Sequence, residues 1–387
     1  MNINMKTRSN SSGFQNALIL FLLLVLLLLP ILCNATKPIT KIDKYNVVWD
    51  SPSNDSFGSM PLGNGEIGLN AWVEKNGDLL FYISKVDAFD ASHLLPKLGR
   101  VRIKMVPALQ VEKFKQTLHL IDASVLIEAG DVKLRIWVDA NEPVIMIECK
   151  SQTPRTTTIM VESLRLLVTA NDPLPNKGTI GVLFNDNENR LVWCYRNQSS
   201  AWAVNFKNQN TPEMVSKTKD PILYRTSGCL LQAKGFKREN NTTLRQTKKS
   251  KTFDCSVKVI STQPKTLQAW LSEISKPFKS DWEAHCTFWK SFWNRSYINI
   301  ISGGKGKFNL DQCRFTQFAQ GSKAYEGHKE IDAEQNIAQI SQRYAFERFC
   351  EAAVCRGNVP SPYNGSILTM DMPVGAMGSS GPKSKPV

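Results

Sequence analysis

From position 47 to position 259 the chain alternates apolar and polar residues, and turn-forming residues cut the alternation at short intervals. That period matches the pleat of a strand, whose successive side chains point to opposite faces, and not the 3.6-residue period of a helix. A mainly β fold follows. The clearest hairpin joins strands 67–73 and 79–83 through Lys75-Asn76-Gly77-Asp78, where Asn-Gly supplies the positive φ of a tight primed turn. Further strands are expected at 100–106, 114–120, 124–128, 132–139, 144–149, 156–161, 178–184, 190–196, 222–225, 229–236 and 252–260. So many strands in one run predict two stacked antiparallel sheets.

The period changes after Pro264. Residues 266–275 read as a short helix, and Ser280-Asp281-Trp282-Glu283 is a capping-box pattern opening a second. On that helix Trp282, Cys286, Trp289 and Trp293 share one face. An aromatic stripe at helical spacing is a packing seam more often than a sugar platform. The glycine-rich stretch 302–307 lacks the spacing of a phosphate-binding loop and reads as a flexible connection. A last helix is expected over 332–356, ended by Gly357 and kept from continuing by Pro360 and Pro362. Residues 370–387 have the composition of a disordered tail.

Three segments carry a resemblance: Met60-Pro-Leu-Gly-Asn-Gly-Glu-Ile-Gly68, Ile83-Ser-Lys-Val-Asp-Ala-Phe-Asp90 and Lys97-Leu-Gly-Arg-Val-Arg-Ile103. They resemble the N-terminal β domain, domain of unknown function 5703, that precedes a helical (α/α)6 barrel in proteins similar to glycoside hydrolase family 95. Phe292-Trp-Asn-Arg-Ser-Tyr-Ile298 resembles that family's linker, residues 340–349 its first barrel helix, and 363–367 the loop after it. The resemblance implies a two-sheet β super-sandwich over 36–263, a helical linker over 264–330, and the start of a barrel over 331–369. Glycosidic hydrolysis takes two opposed carboxyl groups, and in the family these are carried by barrel loops beyond the one represented by Asn364. No catalytic residue is therefore carried over. The expectation is a C-terminally truncated, glycoside-hydrolase-like protein of carbohydrate metabolism, inactive by itself, with an oligosaccharide or glycan as ligand. The alternative is a non-catalytic carbohydrate-binding or interaction module.

Lys6 and Arg8, the apolar run 17–32 and Cys33-Asn34-Ala35 have the layout of a secretory signal, residues 1–35. The run is shorter than the ~20 residues a spanning helix needs, and Pro30 interrupts it. The mature chain is expected outside the cell and free of the membrane, with an uncleaved signal anchor as the alternative. Asn54, Asn197, Asn240, Asn241 and Asn294 are glycosylation candidates by their Asn-x-Ser/Thr triplets, a pattern Asn364 shares. Of nine cysteines, Cys33 lies in the signal, and among the remaining eight some pairing is expected in an oxidising compartment. The formal charge of +14 falls to +12 once Lys6 and Arg8 are removed. This excess is spread along the chain with no nucleic-acid-reading element, so that class of partner is excluded. The densest basic run, 234–251, reads as a solvated hairpin tip.

Candidate binding residues are few. Asn64 and Glu66 sit in the glycine turn 63–68, whose three glycines imply crowded or left-handed backbone. With Asn364 they are the expected substrate-binding residues. Asp87 and Asp90 form a carboxylate pair three apart, weighed against the plainer role of capping turn backbone. His93, His119, His285 and His328 have no neighbours that mark a triad or metal site, and no cofactor or metal is expected.

Overall fold

The computed structural model describes residues 42–162, 167–170, 175–298, 333–360 and 367–371. The expected signal 1–35, the glycine-rich stretch 302–307, Cys313, His328, Asn364 and the tail beyond 371 lie outside the described residues.

Sixteen strands join into one large mixed sheet. The strands of the first half are β1 (Val47–Trp49), β2 (Met60–Gly63), β3 (Ile67–Val73), β4 (Leu79–Lys85), β5 (Gly99–Val106), β6 (Phe114–His119), β7 (Ser124–Ala129), β8 (Val132–Val138) and β9 (Val144–Glu162). After them come β10 (Leu167–Thr169), β11 (Thr179–Phe184), β12 (Arg190–Asn197), β13 (Thr226–Ala233), β14 (Phe236–Asn240), β15 (Thr243–Gln246) and β16 (Ser250–Thr262). The main path runs β1-β6-β7-β8-β9-β16-β13-β12-β11-β10, and a branch runs β2-β3-β4-β5-β9. Neighbouring strands are antiparallel except β10 and β11.

Strand β9 belongs to both paths. Its first half pairs with β8 and β16, its second with β5 and β15. Two separate strands, 144–149 and 156–161, were expected, and Pro154 falls in the gap between them. The proline lies between the two ladders, where no strand needs its missing N–H, so the strand continues through it. Arg155 is buried beside it and bonded to Asp131 at 2.6 Å. Residues 222–225, expected as a strand, form a turn instead. Asp220 accepts the Ile222 and Leu223 N–H groups, and Tyr224 takes φ 61°. Two short helices, α1 (Trp202–Asn208) and α2 (Met214–Lys217), were not foreseen.

Strands β2 and β3 contact β7 and β8, while β4 contacts β16. Between them lies the core: Leu69, Phe81 and Ile103 from the branch, Ile127, Ile136, Ile147 and Val257 from the main path, all fully buried. Each such side chain contributes about 1.5–3 kcal/mol of burial. The other face of the main path is covered in part by helices. Helix α3 (Leu267–Ile274), capped by Thr266, packs Trp270 and Ile274 on Val182, Val192, Cys194 and Leu230. Helix α4 (Trp282–Arg295) is capped by Asp281, which accepts the Glu283 and Ala284 N–H groups, while Ser280 donates to Asp139 at 2.5 Å. Its Trp289 and Trp293 are fully buried, and Trp293 donates to the Leu120 carbonyl at 2.6 Å. The tryptophan stripe is the expected packing seam. Helix α5 (Ala333–Cys355) closes the described fold, and none of the described helices is long and apolar enough to cross a membrane.

Candidate functional site

The glycine turn between β2 and β3 is where the expected binding residues lie. Asn64 Oδ1 accepts the Glu66 and Ile67 N–H groups, and its Nδ2 donates to the carbonyls of Asp139 and Glu142 at 2.9 and 3.2 Å. Both ends of the Asn64 amide are thus spent on backbone. Gly65 has φ +87°, which L side chains adopt at a cost, and its N–H donates to the Ala353 carbonyl at 2.7 Å. A Cβ on Gly65 would stand 2.5 Å from the Gly357 nitrogen. One on Gly68 would stand 2.2 Å from the Ile367 carbonyl oxygen, and one on Gly63 2.4 Å from that of Ala353. The glycines exist so that the end of α5 and the segment at Ile367 can lie backbone to backbone on this turn.

Glu66 faces the same junction. One carboxylate oxygen lies 3.4 Å from the N–H and side-chain amide of Asn358, the other 3.3 Å from the Lys85 ammonium. Lys85, itself buried, also reaches Asp87 at 2.7 Å, and Asp87 meets Arg225 at 3.1 Å. A chain of alternating charge therefore runs from the end of α5 to the start of β13. Asp90 does not join it through any of these contacts. It accepts the Ser92 and Leu94 N–H groups, the capping role.

Arg356 seals the junction from the helix side. It donates to the Ala140 carbonyl at 3.0 Å and lies over the Phe288 ring at 4.1 Å. Burial lowers its pKa to about 10, against the opposing pull of Asp139 and Glu66. His285, on α4, accepts the Ala140 N–H at Nδ1 and so carries its proton on Nε2, which donates to the Asp122 carbonyl at 2.6 Å. Burial, its largest cause, holds this histidine below the ordinary range.

A second polar cluster surrounds Tyr82. Asp371 accepts from the hydroxyls of Tyr82 and Ser56 and from Lys97, and Lys97 stands over the Tyr82 ring at 3.9 Å. Burial first, then Asp371, pushes the phenol up to about 12. Asp371, expected in a disordered tail, is docked here, while Met370 beside it is exposed. Neither cluster offers two carboxylates facing an open space, and no group of side chains among the described residues could hold a metal ion.

The seven described cysteines are all free thiols, against the expected pairing. Four are buried in the sheet, and desolvation raises Cys149 and Cys255 to about 12. They behave as small core residues. Asn197 is buried, with its amide nitrogen bonded to the carbonyls of Phe89 and Ile222, so it is no glycosylation site in this fold. Asn54, Asn240, Asn241 and Asn294 are exposed. The residues that sequence reasoning missed are Arg356, Asn358 and Asp371. Their only local signal was proximity to Gly357 or to the chain's last turns.

A mainly β architecture with a helical junction defines the class. The pattern of the domain of unknown function DUF5703, in its N-terminal part, matches residues 48–298, and the chain belongs to that family. No curated protein matches. Among solved structures, a bacterial glucoamylase complexed with acarbose is similar at 9% identity and a TM-score of 0.23. The match covers 63% of this chain and 38% of that one, so the chain spans well under half of its neighbour.

Proposed function

We propose that this chain is the β domain, linker and opening barrel helix of a secreted glycoside-hydrolase-like protein similar to family 95, and that its two strand paths are the sheets of a super-sandwich. In this reading the β domain is a socket. Its glycine turn fixes the first helix of a helical array, and the residues present position the array without performing the hydrolysis. The observation that carries the reading is the seating of α5: three glycines accept backbone directly, and Glu66 and Arg356 close both sides. A helix held so tightly at its C-terminal end is aimed, as the lead element of an array has to be. Asn64 and Glu66 then shape the junction through Asn358 and the backbone of residues 139–142, and the ligand class is carbohydrate.

The purified chain, assayed against a panel of aryl glycosides, is expected to release no aglycone, since glycosidic cleavage takes two opposed carboxyl groups across a pocket. Turnover abolished by Glu66→Gln would overturn the positioning role. Secretion is tested separately. Expressed with residues 1–35 in a eukaryotic secretory host, the protein should reach the medium and lose mass on treatment with an N-glycosidase, and retention of that mass change in an Asn197→Gln variant is expected.

A further inference from the structure

The outward face of the main strand path is covered by α3 at one end and by α4 at the other; between them Lys258 is buried and donates to the Lys276 carbonyl, whereas Gln232, Lys234 and Asp254 are exposed. Registers put Gln232 of β13 opposite Ser256 of β16, and Ser256 opposite Met146 of β9. One step along, Asp254 lies opposite Glu148, and Glu148 opposite Arg135 of β8. Alternation places both rows on the same side of the sheet. A cleft of about 360 Å³ lies here, lined by Met146, Asn189, Gln232, Lys234, Asp254 and Ser256 together with the backbone beneath them. From β12 to β9 the lining crosses three strand spacings, about 14 Å at ~4.8 Å each.

The lining is unusual in being idle. Asn189, Gln232, Lys234 and Asp254 are exposed, and their side chains make none of the hydrogen bonds or ion pairs that engage most polar groups of this fold. On the α4 side of this lining, Arg135 lies 3.9 Å from Glu148 and over the half-buried Trp282 ring at 4.6 Å. Two cations, Lys234 and Arg135, stand against two carboxylates, Asp254 and Glu148. A polyanion or a polycation therefore gains nothing from the balance. Two free amides offer donors and acceptors side by side, and Met146 offers a small apolar floor. Alternating donors and acceptors above an apolar floor complement the hydroxyls and C–H faces of a sugar.

We propose that this trough is a non-catalytic binding site for a neutral oligosaccharide, lying on β12, β13, β16 and β9 and separate from the α5 junction. The inference rests on the carbohydrate reading above and extends it to a surface the junction does not use. A ligand bound there would be held by Gln232 and Asp254 at the centre, with Asn189 and Lys234 at one rim.

The test is titration of the full chain with neutral xylo-, cello- and galacto-oligosaccharides and with an acidic galacturonate oligomer, followed by calorimetry and by NMR shift mapping. One neutral series should bind, shifts should centre on residues 232–234 and 254–256, and a Gln232→Ala/Asp254→Ala variant with an unchanged circular dichroism spectrum should bind at least tenfold more weakly. Binding that maps elsewhere, or that the double variant retains, overturns the trough and leaves the carbohydrate reading standing. Preference for the acidic oligomer overturns the charge argument and with it the proposal. Absence of binding by every sugar overturns both.

Discussion

His285 is the residue whose chemistry is most tightly determined by its surroundings. Its Nδ1 faces the Ala140 N–H, so a proton added there would set two donors against each other. The charged groups around it are Asp122 and Asp139, which favour the cation, and Arg356, which opposes it; burial outweighs the carboxylates and the net shift is downward. A histidine lowered on folding contributes stability that is complete above the unfolded value of about 6.5 and is lost as pH falls through the folded value. The carboxylates held down by partners, Glu162 and Asp371 among them, lose their contribution in the same direction but only near and below pH ~4. Between pH 6.5 and 5 the slope therefore belongs chiefly to His285. Melting temperature followed from pH 8 to 5 should fall in the natural protein. In His285→Gln it should start lower, by about 2–3 kcal/mol of lost buried hydrogen bonding, and vary less with pH. Parallel slopes for the two proteins would assign the acid sensitivity to another group.

At the scale of elements, the docking of α5 is set by glycines distant from it in sequence. Gly65→Ala would place a methyl against the Gly357 nitrogen and hold an L residue at φ +87°. The conformation alone costs about 1–2 kcal/mol, and the clash adds to it. Because the β ladder on either side is undisturbed, the expected result is local: amides 341–355 protected in the natural chain and exchanging at least tenfold faster in the variant, with β3 and β4 unchanged. Loss of protection throughout β3 would show instead that the turn is needed for the sheet itself. This junction also marks where sequence reading stops. Strands such as β5 and β8 were legible because one buried face leaves a period of two, and the starts of α3 and α4 because capping signals are local, although the capping box put the cap of α4 at Ser280 and Asp281 takes that place. The continuity of β9 was not, since only its two ladders explain why Pro154 is tolerated. Nor was the misassigned 222–225, where the Asp220 side chain captures the backbone before a strand can. The motif around Glu66 stood out in the sequence, but the reason for its glycines, the backbones of Ala353 and Ile367, lies nearly three hundred residues away. A turn crowded by a distant helix and a turn open to a ligand look alike in one sequence.

For the described molecule as a whole, the β region and its helices converge on a single short turn, residues 139–142. Asn64 binds its carbonyls from the glycine turn, His285 and Ser280 bind it from α4, and Arg356 binds it from the end of α5. Asp139 is the centre. Fully buried, it accepts from Asn141, Glu142, Ser280 and Asp281. Helix α4 thus adds its tryptophans to the fold and is anchored at its first turn by a carboxylate of the β region, so α4 and the sheet should unfold as one cooperative unit. In urea, exchange of the amides of α4 and of β9 should report the same free energy in the natural chain. Asp139→Ala removes the shared anchor, leaves four donors to find water, and costs about 3 kcal/mol or more. Its specific consequence is separation: α4 amides should open at lower urea than those of β9. If α4 already opens first in the natural chain, the linker is an appended element and the junction carries no coupling. If the variant shifts both equally, Asp139 serves the turn alone, and Trp289 and Trp293 hold the helix by packing without it.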